Sequence, residues 1–286
     1  MAYILALGSA TLYGAADFLG GLASRRVSTI AVVLTSQGVG LVSLVLILPL
    51  LPNATPSFVD LIWGSLAGLA GGSGVALLYR GLAVGRMAVV APVTAVCAVV
   101  IPVTVVVLLG ERLAWLTVVG VGLAILAIVL VSWQGGAAPG VSRAVTLPPG
   151  LGLALASGVA IGLFFLALAE TDAQAGMWPL VAARAASVTI FGGLALASGR
   201  PLRMAAPVTR IVVAAGVIDV CANALYLVAT RYGPLPVVVT LSSLYPASTV
   251  ILARLALGEQ LNVWQIVGLA SALIAIALIV GGSGSF

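Results

Sequence analysis

Apolar residues in this chain run on without the polar face of an amphipathic surface helix. They also lack the period-two alternation of a half-buried strand. From Leu116 to Val131 every residue except Thr117 is apolar or glycine. A helix that crosses a bilayer needs about 20 predominantly apolar residues, whereas a barrel strand needs about 10 alternating ones. The pattern therefore predicts an all-α polytopic membrane protein with ten transmembrane helices. They fall at about 3–22, 29–51, 60–79, 87–109, 115–133, 150–169, 177–197, 209–230, 235–256 and 262–281.

The breaks carry turn chemistry. Leu51–Ser57 contains two prolines, Gln134–Pro149 is the longest polar, Gly/Pro-rich stretch, and Arg200–Arg203 ends the seventh span. Short connections elsewhere make neighbouring spans antiparallel hairpins. The organisation expected is a first five-helix repeat over 1–134, a linker loop over 135–149 and a second five-helix repeat over 150–286.

A self-comparison supports the two halves. A shift of 148 residues places Leu5, Ala6, Leu7, Ser9 and Gly14 on Leu153, Ala154, Leu155, Ser157 and Gly162. It places Gly85 on Gly233, Leu109-Gly110-Glu111 on Leu257-Gly258-Glu259, and Val119-Gly120 on Val267-Gly268. Because five is odd, the second copy enters the membrane upside down relative to the first. Inverted repeats of this kind support alternating access in many transporters. Duplication for stability alone is the other reading.

Composition narrows the function. The chain is 62% hydrophobic and 7% charged, with mean hydropathy +1.29, too little charge to cover a soluble particle of 286 residues. All twelve basic residues are arginine, and histidine is absent. The net charge of +5 is spread over segment ends, which reads as orientation signal and not as a nucleic-acid patch. Arg25, Arg26, Arg80, Arg86, Arg143, Arg200, Arg203, Arg210 and Arg254 follow odd-numbered spans, whereas Arg112 and Arg231 follow even ones. The positive-inside rule then puts both termini on the external side of the cytoplasmic membrane. Cys97 and Cys221 lie in apolar segments, as packing residues do. There is no P-loop, no H-E-x-x-H and, without histidine, no Ser-His-Asp triad, so neither an enzyme nor a cofactor is implied.

An ionisable residue inside a span costs about 2.5–3.5 kcal/mol on insertion scales, so it should face the bundle or a wet cavity. Asp17, Arg184 and Asp219 are such residues. Asp219 and Asn223, spaced i, i+4 with Tyr226 near them, form a polar stripe in the eighth span. Two readings of Asp219 stand side by side: contact with a solute, or a buried ion pair with Arg184 that locks helices. Asp17 lies four residues after Tyr13 and either lines the cavity or pairs with Arg25 or Arg26. Ser242, Ser243 and Tyr245 precede Pro246, which frees a backbone carbonyl, so they contact solute or repair a kink. Gln37 beside Ser36 is a polar spot in the second span, and Tyr79 and Phe164 are candidates for an aromatic wall. Glu111 and Glu259 are expected to cap the following helix or pair with a neighbouring arginine.

Taken together, the features resemble the drug/metabolite transporter superfamily in its ten-helix EamA-type branch. The resemblance rests on the duplicated five-span unit, the two Leu-Gly-Glu sequences, Ser242-Ser243-Leu244-Tyr245-Pro246, Tyr13-Gly14 and Arg184 early in the seventh span. Tyr13 stands where that branch usually has tryptophan, and Ser36 is the first-half counterpart of Arg184. The resemblance implies transport of a small-molecule solute, with spans one, three, four, six, eight and nine around the cavity. It favours amino-acid or metabolite export. Ten spans are enough to enclose a pathway in one chain, so a functional monomer is expected. An exporter of lipophilic cations and a non-transporting scaffold are the alternatives.

Overall fold

The computed structural model describes residues 1–51, 54–108, 114–132, 148–199, 202–233, 238, 241–242 and 244–283. Ten α-helices are present among them: α1 (Ala2–Ser24), α2 (Thr29–Ile47), α3 (Phe58–Val84), α4 (Met87–Leu108), α5 (Trp115–Ser132), α6 (Leu151–Ala169), α7 (Trp178–Ser198), α8 (Ala206–Tyr232), α9 (Tyr245–Leu257) and α10 (Val263–Ser283). Eight of the described helical spans are long and apolar enough to cross a bilayer, with α5 and α9 shorter. Among the described residues there is no strand.

Local chemistry sets the helix ends. Ser57 and Asp60 form a capping box on α3: Asp60 N donates to Ser57 Oγ (3.2 Å) and Ser57 N to Asp60 Oδ2 (2.8 Å). Gly199 and Gly258 end α7 and α9 in the left-handed region, at φ 59° and 66°. Proline stands in the first turn of α7, α8 and α9, where no backbone donor is lost. In α9 this corrects the expected ninth span. Pro246 does not kink a continuous 235–256 helix; Leu244 is a turn residue, and a fresh helix starts at Tyr245.

Eight helices form a closed ring of neighbours in the order α1, α8, α2, α7, α3, α6, α4, α9 and back to α1. The pair α5 and α10 packs outside it, beside α4. The order maps onto itself when each helix is exchanged for the one five places later.

The shift of 148 residues holds at atomic detail. Ser9 Oγ donates to Ala222 O (2.9 Å), and Ser157 Oγ donates to Gly74 O (2.7 Å), the same bond in the other half. Thr94 Oγ1 to Ala154 O (3.1 Å) is matched by Ser242 Oγ to Ala6 O (3.4 Å). In a medium without water these hydroxyls find backbone carbonyls on the facing helix.

Small residues set the closeness of the seams. Gly64, Gly68 and Gly72 lie against Pro179, Ala183 and Ser187, each series stepping four residues at a time. A Cβ on Gly68 would collide with Ala183 O, so α3 and α7 approach backbone to backbone.

Candidate functional site

The polar stripe of α8 occupies the middle of the ring. Asp219 is at the midpoint of its helix. The exposed residues Val213, Val217 and Cys221 define the lipid side of α8, and Asp219, Asn223 and Tyr226 lie about half a turn away from it. All three are nonetheless partly accessible, and Asp219 keeps 26% of its side-chain surface. On α1, Tyr13 and Asp17 are likewise partly accessible. Partly accessible polar side chains thus lie within both α1 and α8.

Arg184 joins three helices there. Its Nη2 pairs with Asp219 Oδ2 and its Nη1 donates to Gln37 Oε1, so α7, α8 and α2 meet at one guanidinium. Asn223 Nδ2 donates to Asp219 O (2.7 Å) and Asp219 Oδ2 (3.4 Å), holding the carboxylate from its own helix. Gly40 lies beneath the guanidinium, where an added Cβ would sit 3.5 Å from Cζ. The ion-pair reading of Asp219 thus describes the contact, while the accessible surface of both partners (19% and 26%) leaves it able to meet a solute. Sequence reasoning missed Gly40; its signal was the spacing of a single turn from Gln37.

The other expected residues divide. Tyr13 meets Tyr245 edge to face, with ring centroids 6.5 Å apart. Tyr79 is buried with its ring over Gly20. Tyr226 packs partly against Ala2, Ala6 and Ala229, and Ser242 is buried and tied to α1, so Ser242 acts in packing. Phe164 lies on the α3–α6 seam against Gly71 and Phe165. By the internal repeat that seam corresponds to the α8–α1 seam, with Gly71 in the place of Asp219, so Phe164 belongs to the apolar equivalent of the polar site. Ser243, Glu111 with Leu109 and Gly110, and most of the 135–149 linker lie outside the described residues.

Two expectations about charge are corrected. Asp17 does not pair with Arg25: Arg25 Nη2 donates to Leu82 O (3.3 Å) and meets Glu259 at 3.5 Å. Glu259 does not cap the helix that follows it. Its two carboxylate oxygens accept from Met87 N and Ala88 N, both at 3.1 Å, and so cap α4 in the other half. Arg86 adds a bond to Gln260 O. These contacts cluster where α1, α3, α4 and α9 converge.

The same end is sealed across the ring, where α1 packs on α3 through Gly20 against Tyr79 and Gly21 against Leu82. The equivalent pair, α6 and α8, shows no comparable packing among the described residues. A small cleft of about 60 Å³ lies toward the other end between α2 and α8, lined by Leu44, Ile47, Leu51, Met177, Val220 and Ala224 with Val228. Its walls are apolar, and neither it nor the shallow groove along α3 at Phe58–Leu69 includes Arg184, Asp17 or Asp219. Gln37 of α2 and Arg184 of α7, both expected at the site, meet there from helices outside the set that the resemblance implies.

No curated protein matches the chain at a significant level. One solved structure, named only "Crystal structure of protein", superposes with a TM-score of 0.58 at 18% identity, covering 94% of this chain and 96% of that one. At that identity the likeness concerns the fold. A family model described as the EamA-like transporter family matches twice, over residues 1–133 and 148–281. The two matches fall on the halves whose hydrogen bonds repeat at 148 residues, and together they span nearly the whole ring. The chain is a multi-pass membrane protein that belongs to the EamA-like transporter family.

Proposed function

We propose that the protein is a secondary transporter that exports small metabolites, amino acids foremost, across the cytoplasmic membrane. The observation that carries this reading is the Arg184–Asp219–Gln37–Asn223 cluster, which is centred on the midpoint of α8 and in which Arg184, Asp219 and Asn223 are partly accessible. An arginine and a carboxylate held side by side offer complementary charges to a zwitterion. Movement would proceed by alternating access between inverted halves, 1–134 and 150–286, joined by the 135–149 linker, in a functional monomer with external termini.

The asymmetry of the ring supports this. The α1–α3 contact seals one end, and its counterpart α6–α8 shows no comparable packing among the described residues. Exchange of the two contacts would expose the cluster to the opposite side. Because the sealed end holds Arg25 and Arg86, the positive-inside rule assigns it to the cytoplasm.

The test is counterflow in liposomes carrying the purified chain, with a panel of labelled amino acids. Flux above empty vesicles for at least one amino acid, lost in Arg184→Ala, is the expected result. No flux above empty vesicles for any of them would overturn the proposal.

A further inference from the structure

The charges inside the bundle do not balance. Among the described residues, Asp17, Arg184 and Asp219 are the formally charged side chains more than five residues from both ends of their helix. Arg184 is committed to Asp219 and Gln37. Asp17 makes no hydrogen bond or ion pair among the described residues, and Arg25, its nearest arginine along the chain, is held by Leu82 O and Glu259. One carboxylate is therefore left without a counter-charge inside the membrane. An uncompensated charge there costs several kcal/mol, which either a bound proton or a cationic partner from outside the fold relieves.

The surroundings of Asp17 specify the partner. Tyr13 lies one turn earlier on the same face of α1. The ring of Tyr79 covers Gly20, one turn later, and Tyr245 meets Tyr13 edge to face. Tyr79 at Gly20 belongs to the α1–α3 seal, so Asp17, one turn before Gly20 on α1, sits on the inner side of that seal. A carboxylate walled by aromatic rings is the chemistry that recognises an ammonium group, through charge and through cation–π attraction.

We propose that Asp17 is the ammonium-binding residue of this protein, and that its solute carries a protonated amine seated among Tyr13, Tyr79 and Tyr245. This rests on the transport reading and narrows it: the positive end of the solute goes to α1, and an anionic end, where present, goes to Arg184. A purely anionic solute is excluded.

Three probes with one apolar body test it: 2-phenylethylammonium, L-phenylalanine and 3-phenylpropanoate. Binding to the full-length chain in detergent, by equilibrium dialysis, is measured separately from counterflow in liposomes. The wild-type chain is expected to bind the first two and not the third. Asp17→Asn should weaken binding of both ammonium probes at least about tenfold, and Asp17→Glu should retain part of it. A thermal melt of each variant shows that it is folded. Equal binding by wild type and Asp17→Asn would mean that Asp17 merely holds a proton, and would overturn the proposal. So would preference for 3-phenylpropanoate, or no binding of any probe. Asp17-dependent binding without flux would sink the transport reading and leave this inference standing.

Discussion

Removing one charge at a site such as Arg184 differs in kind from removing two. Asp219 is approached by Arg184 and by Asn223, and Arg184 also reaches Gln37. Breaking a fully buried pair costs about 3–5 kcal/mol, and the partial exposure of this one lowers the expectation to about 2–3 kcal/mol. Asp219→Ala and Arg184→Ala should each lower the melting temperature of the detergent-solubilised protein. The exchange of the two residues, Arg184→Asp with Asp219→Arg, should recover part of the loss. Additive losses in the exchanged protein would show that the two side chains do not interact. The hydroxyls offer a cleaner comparison. Ser9→Ala and Ser157→Ala remove equivalent bonds at seams related by the repeat, so their costs should agree within a few tenths of a kcal/mol, each near about 0.6 kcal/mol.

Among elements, the close seams limit what side chains can be added. Gly68→Val should prevent assembly of α3 with α7, because the obstacle is the backbone of Ala183 and not a side chain that can rotate away. Loss of the monodisperse peak in size-exclusion chromatography is the readout. Most of the helices could be read from the sequence, because a continuous apolar run about 20 residues long has few alternatives to a spanning helix. The observed ends lie within a few residues of the expected ones for all but the ninth span. There, a proline between apolar segments is compatible both with a kinked helix and with a new start, and the choice depends on where Leu244 and Tyr245 find partners. The site was legible as a set of polar residues and, in one of the two readings of Asp219, as its pair with Arg184; Gln37 as the third partner was not. Asp219, Arg184 and Gln37 stood out because they are costly in lipid, yet no spacing in the sequence relates positions 37, 184 and 219. Glu259 was read as a local cap or the partner of a nearby arginine, since such contacts are usually local; its partners Met87, Ala88 and Arg25 lie in the other half and are reached only once the ring closes.

At the scale of the whole molecule, Glu259 binds the halves together at the sealed end, through Met87 and Ala88 on one side and Arg25 on the other. Glu259→Gln keeps the shape and removes the charge that both the α4 terminus and Arg25 favour. The sealed end should then open more often. In a background with Cys97 and Cys221 replaced by serine, Asn223→Cys should react with a membrane-impermeant maleimide from the side of Leu51 and Met177. Adding Glu259→Gln should raise the reaction from the opposite side at least about threefold, corresponding to a shift of roughly 0.6 kcal/mol. An unchanged rate from that side would show that the glutamate does not hold the seal.

The pair α5 and α10 has a different place in such a cycle. Gly120 lies against Ile279 and Gly268 against Val131, positions that the 148-residue repeat interchanges. Elements that are each other's image keep the same partner when the halves trade conformations, so nothing along that line has to be unmade during a turnover. A covalent staple joining those two helices should therefore leave cycling intact, whereas one across α1 and α3 should freeze the machine in its present pose.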